Sequence, residues 1–228
     1  MINKFKRLYN NSIRYNNDKS LIARKLKPLS CKPLEGSLRV LIIADIHGAF
    51  VEFKSDLEAF RARRIDFVVS LGDLTIDSMK VLISFCQEEG LPLYAIRGNH
   101  DMYDMSIFGD NLIDIDERII EFRGFTFMGI EGSNYYNDYS IYKNDRELFE
   151  KEFNGHIDIL FSHTKPYTIT DKSLWDVRQG LIGINKILCN NQVRYHYYGH
   201  FHNKDMRDFI HGKPSKCIYG VELIKIKR

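Results

Sequence analysis

Short apolar runs alternate with longer mixed segments from Ser37 to the end of the chain, the pattern of strands covered by helices. The first run, residues 38–44 (LRVLIIA), is apolar at every position except Arg39, as a strand buried on both faces must be. Phe53, Leu57 and Phe60, spaced four and three apart, predict a helix over residues 53–63. A strand over 67–71, a helix over 78–88 and a strand over 91–96 follow, with Gly90 and Pro92 punctuating the last junction.

The pattern then changes. Residues 118–122 and 125–130 flank Arg123-Gly124, which predicts a hairpin, hence antiparallel pairing and a second sheet. Residues 132–144, rich in Asn, Tyr and Ser, read as a long loop. Beyond it the pattern predicts a helix over 146–153, a strand over 157–161, a helix over 181–190 and a strand over 194–198. Two closing strands are expected within 216–227, with Gly220 between them. No repeat or interdomain linker interrupts residues 37–228, which read as one α/β domain.

Composition narrows the class. With 228 residues, 44% hydrophobic and 13% aromatic, the chain can fill a core, which excludes disordered and fibrous architectures. Its four cysteines form no C-x-x-C pair, so neither a disulfide framework nor a thiolate zinc site is indicated, and a reducing compartment is expected. No run reaches the roughly 18 apolar residues of a spanning helix, and the N-terminus lacks the apolar core of a secretory signal. A soluble, cytoplasmic protein is the expectation. The net charge of +3 conceals an asymmetry: residues 1–39 hold ten Lys/Arg against Asp18 and Glu35, a balance of +8 that leaves −5 for the other 189 residues. Residues 1–36 are therefore a basic N-terminal arm. It reads as a phosphate-attracting arm through which nucleic acid would bind, as a targeting peptide, or as a leader packing Phe5, Leu8, Tyr9, Leu21, Ile22 and Leu26 on the domain.

Five of the apolar runs end in metal-capable side chains. These are Asp45-Ile46-His47-Gly48, Gly72-Asp73, Gly98-Asn99-His100-Asp101, Ser162-His163 and Gly199-His200-Phe201-His202. Each cluster follows a predicted strand, at the edge where open α/β sheets place ligands. Glycine beside four of them permits a sharp turn and close backbone approach. One histidine at a strand end is commonly a satisfied polar residue, but five successive clusters are not explained that way. Imidazole and carboxylate donors without thiolate suit Mn, Fe, Zn or Ni, and the seven or eight donors here exceed what one ion accepts. Two ions are the natural count, and Asp73 is a carboxylate that could bridge them.

The ordered set D-x-H-G, G-D, G-N-H-D, H, G-H-x-H resembles the calcineurin-like metallophosphoesterase superfamily, and spans Asp45 to His202. The resemblance implies a metallophosphoesterase sandwich of two mixed β-sheets flanked by helices, with the metal site at one edge. It implies that Asp45, His47 and His202 hold one divalent metal, that Asn99, His163 and His200 hold the other, and that Asp73 bridges. Mn is the first choice, with Fe, Zn, Ni or Mg also compatible. His100 would sit beside the phosphate as the catalytic residue, while a hydroxide held between the two metals attacks phosphorus. Asp101 and Asp77 are the candidates to support His100, and Arg97 is either a phosphate contact or a salt-bridged arginine.

Departures from relatives bear on the substrate. The protein Ser/Thr phosphatase pattern G-D-x-x-D-R-G is here Gly72-Asp73-Leu74-Thr75-Ile76-Asp77-Ser78, without the phosphate-gripping arginine. Ser162-His163-Thr164-Lys165-Pro166 resembles the H-x-P-P form of small phosphodiesterases, with Lys165 in place of the first proline. A phosphodiesterase acting on nucleotides or related small molecules is therefore expected. A metal-dependent nuclease, a phosphomonoesterase or protein phosphatase, and a non-catalytic scaffold are the alternatives, in falling order. Tyr135, Tyr136, Tyr139 and Tyr142 either stack on a nucleobase or anchor the loop to the core. His156, His196 and His211 match no motif and read as structural, and Trp175 either lines the cleft or packs beneath it.

Overall fold

The computed structural model describes residues 36–134, 140–168, 171, 179–191, 193–203 and 207–227. The basic arm before Gly36, together with Tyr135, Tyr136, Tyr139 and Trp175, lies outside them. Eleven strands form two mixed sheets among the described residues. The first holds β1 (Ser37–Ala44), β2 (Phe67–Ser70), β3 (Leu93–Ala95), β4 (Ile113–Asp114) and β11 (Gly220–Lys227), in the order β11-β1-β2-β3-β4. The second holds β5 (Ile120–Phe122), β6 (Phe125–Ile130), β7 (Ile159–Ser162), β8 (Tyr195–Tyr198), β9 (Arg207–Ile210) and β10 (Lys213–Cys217), in the order β5-β6-β7-β8-β10-β9. β1 through β4 run parallel, as do β6, β7, β8 and β10, while β11, β5 and β9 are antiparallel to their neighbours.

The continuous apolar run of β1 is explained by its two faces. Val40, Ile42 and Ala44 pack with Phe127, Ile159 and Phe161 of the second sheet. Leu41 and Ile43 pack against helices α1 (Phe50–Glu58) and α2 (Ile76–Glu89), through Phe53, Leu57 and Leu82. A third cluster sets Met128, Ile130 and Leu160 against α3 (Asp145–Glu150) and α4 (Ile182–Asn190). The layers are thus helix, sheet, sheet, helix. Each such aliphatic side chain contributes about 1.5–3 kcal/mol on burial, so the inter-sheet layer and the layers beneath the helices all stabilise the fold.

The expected elements are present with shifted ends. α1 begins at Phe50 and finishes at Glu58, short of the expected residue 63, and α2 begins at Ile76 because Thr75 Oγ1 accepts the Ser78 N–H at 3.2 Å and caps it. The Arg123-Gly124 hairpin pairs Phe122 with Phe125. The two closing strands fall on different sheets: β10 joins β8, then the chain crosses at Ile218 and Tyr219 so that β11 pairs with β1. β4, β9 and a 3-10 segment over Met105–Asn111 were not expected. β4 has two residues and β9 reads Arg-Asp-Phe-Ile, so neither carries a periodic signal.

His196 is structural, as its sequence context suggested. It is fully buried, its Nε2 lies 2.8 Å from Ser162 Oγ on β7 and its Nδ1 3.1 Å from Ser215 Oγ on β10. The Ser162 hydroxyl donates to Thr164 O at 2.5 Å, so the bonds are all met when Nε2 carries the proton and Nδ1 accepts from Ser215. Burial pushes this imidazole down to about 3. The folded protein therefore holds it neutral while the unfolded chain protonates it near pH 6.5. Its stabilising effect is present above about pH 6.5 and is lost as pH falls toward 3, at up to about 1.4 kcal/mol per pH unit. Urea unfolding at pH 7 and pH 5 will show a steeper loss for the wild type than for His196→Gln; equal losses would show that His196 does not couple to folding.

Candidate metal centre

β1, β2 and β3 of one sheet and β7 and β8 of the other deliver their following loops to one place. Asp45, His47 and His202 each offer a ligand atom within 4.8 Å of the others, and Asp73, His163 and His200 form a second such group. Asp73 Oδ2 lies 3.6 Å from His163 Nε2 in its own group and 3.8 Å from His47 Nε2 in the other. Asn99 Oδ1 faces His163 Nε2 at 2.8 Å. His100 belongs to neither group; it is exposed, with its ring centroid 5.5 Å from that of His47.

Hydrogen bonds from the backbone orient these side chains. Asp73 Oδ1 accepts the His100 N–H at 2.9 Å, and Asp45 Oδ2 accepts the His200 N–H at 2.8 Å. His163 Nδ1 lies 2.8 Å from Leu71 O, so this nitrogen is the donor and Nε2 keeps its lone pair toward the centre. Asp101, one candidate partner of His100, is buried and accepts the N–H groups of Gly98, Asp73 and Leu74 at 2.8, 2.7 and 3.0 Å, tying the second and third loops together. Burial pushes Asp101 up to about 6, against the pull of those N–H groups. Asp77, the other candidate, is exposed at the start of α2 and pairs with Lys80 at 3.5 Å.

The residues present suit divalent cations. Asp45 Oδ1 is buried with no hydrogen-bond partner and lies 3.6 Å from His202 Nε2. Asn99 Oδ1 and His163 Nε2, both acceptors, face each other at 2.8 Å, and His47 Nε2 and His202 Nε2 approach to 3.1 Å. The Asn99 and His163 lone pairs repel at that distance unless a cation lies between them, and oxygen and imidazole donors of this kind bind Mn, Fe, Zn or Ni. Burial, aided by the His202 and His100 imidazoles, holds His47 below its ordinary value despite Asp73 and Asp45, which keeps it in the ligand form. Burial opposes the Asp73 carboxylate, yet His163 and the His100 N–H hold it below the usual range, ionised.

Five of these residues have positive φ: Asp45 (58°), His47 (49°), Asp73 (57°), His200 (69°) and His202 (51°). Non-glycine residues adopt this region at a cost of about 1–3 kcal/mol each, and retain it where the surroundings enforce it. The glycines confirm how tightly the loops meet. A Cβ on Gly72 would lie 2.0 Å from Gly98 N, one on Gly98 2.1 Å from Asp73 Oδ1, and one on Gly199 2.9 Å from Asp45 Oδ2. Gly48 differs: a Cβ there meets open space, so crowding does not explain it.

The other singled-out residues belong to neither ligand group. Arg97 is held bidentately by Glu131, at 2.8 and 2.7 Å. His156 pairs with Asp158 at 2.8 Å, and His211 occupies a turn at φ 51°. Tyr219, in the crossover between β10 and β11, stacks on His202 at 5.0 Å and 18°. No motif signals Tyr219, because its place depends on the crossing between sheets.

Two facing mixed sheets with helices outside, and five loops of Asp, Asn and His converging at one edge, define the class of fold and site. The calcineurin-like phosphoesterase family model matches residues 38–204, and the chain belongs to that family. It is therefore a member of a family of metal-dependent hydrolases acting on phosphoesters. A comparison with curated proteins finds no match. Among solved structures, one chain is 12% identical with a TM-score of 0.60, covering 84% of this chain and 100% of its own. Protein TT1561 of Thermus thermophilus is 10% identical with a TM-score of 0.58, covering 83% of this chain and 98% of its own. At these identities the likeness is one of fold.

His202→Gly and His202→Ala both remove the imidazole and differ by one Cβ at φ 51°. In metal-free protein the glycine variant will be more stable by about 1 kcal/mol, measured by urea unfolding; equal stabilities would show that the backbone here is not strained. Gly98→Ala will displace Asp73 and abolish stoichiometric Mn²⁺ binding in calorimetry, whereas Gly48→Ala will leave it unchanged.

Proposed function

We propose that this protein is a two-metal phosphodiesterase. The reading rests chiefly on Asp73 Oδ2, within 3.8 Å of an imidazole nitrogen in each ligand group, the position of a carboxylate shared by two cations. Asp45, His47 and His202 would hold one ion, Asn99, His163 and His200 the other, and Asp73 both. When bound, such a pair stabilises charge on phosphoryl oxygens and lowers the pKa of water enough to furnish a nucleophile near neutral pH. Mn is the ion proposed, and the same nitrogen and oxygen donors also accept Fe, Zn or Ni.

The chain's own residues do the rest. His163 and Asp73 are buried, whereas the His47 and His202 side chains are 38% and 46% exposed, so a phosphoester approaches from the side of the first group. His100 stands on that side and donates a proton to the departing alkoxide oxygen. The preference for diesters rests on charge. A monoester dianion calls for an added cation such as arginine, and Arg97 is committed to Glu131. A hollow lined by Phe50, Thr75, Asp77, Lys80 and Val81 opens at the starts of the two helices that follow the His47 and Asp73 loops, and the proposal assigns the second ester substituent, such as a nucleoside, to it. A reducing, cytoplasmic setting is part of this proposal, on the ground that the four cysteines of the sequence form no C-x-x-C pair.

The Mn²⁺-loaded protein will hydrolyse bis(4-nitrophenyl) phosphate faster than 4-nitrophenyl phosphate, and Asp73→Asn will lower kcat/KM by at least about 10²–10³-fold. A folded, metal-replete preparation that cleaves neither ester refutes the reading. His100→Asn will cost about 10²–10⁴-fold with an alkyl leaving group and much less with nitrophenolate, which departs without a proton. Equal losses on both leaving groups would remove His100 from the role of acid.

A further inference from the structure

Lys165 is the point at which this chain departs from the H-x-P-P pattern, and the reading above gives it no part. Its side chain is 6% exposed. An ammonium so far from water persists where its charge and its N–H donors are met. Asp171 supplies the opposite charge, and Thr168 Oγ1 lies 3.3 Å from Nζ. Asp171 is itself fixed, since Oδ2 accepts the Thr168 and Gly180 N–H groups and Oδ1 accepts the Thr168 hydroxyl, all at 3.0 Å. The ammonium also rests over the ring of Phe201, 5.1 Å from its centroid.

Phe201 is the residue between His200 and His202, which sit at φ 69° and 51°. The Phe201 N–H closes on Gly199 O at 2.8 Å, and the Gly199 N–H on His163 O at 2.9 Å. The His200 and Phe201 rings meet at 5.5 Å and 78°. A single tight turn thus carries a candidate ligand of each metal group, one on either side of an aromatic ring held by a buried cation. Residues at positive φ relax toward negative φ when released, and that relaxation would swing both imidazoles away.

We propose that Lys165 is a positioning residue for both metal groups: neutralised by Asp171, its ammonium holds the face of Phe201 and so fixes the directions of His200 and His202. The inference rests on the two-metal reading. A proline at this position would stiffen the loop backbone but could not reach Phe201, so a side-chain hold here replaces a backbone one.

Calorimetric titration of the full chain with Mn²⁺ tests it. Lys165→Met keeps the aliphatic stem and is expected to weaken Mn²⁺ affinity about 10–100-fold, as loss of a ligand-orienting residue does, while the protein remains folded by circular dichroism. Phe201→Leu should weaken it similarly, the double variant should be no weaker than either single one, and Lys165→Arg should retain affinity. A Lys165→Met protein with a lower Tm but unchanged Mn²⁺ affinity overturns the proposal, as do two independently additive losses. If Lys165→Met fails to fold, Phe201→Leu decides, and unchanged affinity there overturns it. A wild type that binds two Mn²⁺ yet cleaves no ester defeats the proposed function while leaving this test intact; one that binds none defeats both.

Discussion

The hydrogen bond from the His200 N–H to Asp45 Oδ2, at 2.8 Å, joins the end of β1 to the end of β8, and with it one sheet to the other. The centre depends on that join, because neither sheet holds a complete ligand group. The first group takes Asp45 and His47 from the β1 loop and His202 from the β8 loop, and the second takes Asp73 from the β2 loop and His163 and His200 from the far sheet. With Oδ2 satisfied, Asp45 Oδ1 is left buried without a protein partner, and the same division recurs in Asp73, whose Oδ1 is bound to the His100 N–H while Oδ2 faces the imidazoles. Each carboxylate is fixed by one oxygen and presents the other.

Convergence of five loops has a backbone consequence. For the ends of β2 and β3 to touch, Gly72 and Gly98 must pass with no side chain between them, and the Asp101 carboxylate must gather three N–H groups that no strand satisfies. For Asp45, His47, Asp73, His200 and His202 to aim inward, each accepts a left-handed conformation. The packed layers of Phe127, Ile159, Phe161 and the β1 aliphatics hold that strain, since the sheets cannot shift to relieve it without opening the core. Stability made in the apolar layers is thus what keeps the polar edge in its costly geometry.

Lys165 and Tyr219 extend the same logic beyond the ligands. His202 is stacked on Tyr219 from the crossover, and the turn that carries it is held through Phe201 by a cation sequestered from solvent. In the first group Asp45 is buried while His47 and His202 reach the surface, and in the second Asp73 and His163 are anchored in the core.

The sequence by itself determined the alternation of strands and helices, the hairpin at Arg123-Gly124 and the clusters at the strand ends, because burial on two faces and metal-capable side chains both leave local patterns. It left open how Asp101, Asp77 and Arg97 would be used, since each has several chemically reasonable partners within reach of a loop. Only the tertiary structure sent Asp101 to three backbone N–H groups, Arg97 to Glu131 and Asp77 to the surface. It also revealed β4, β9 and Tyr219, whose positions come from pairing and crossing between distant segments. Periodicity reports which face of an element is buried; which side chains meet across two sheets is decided by how those sheets pack, and no local pattern records it.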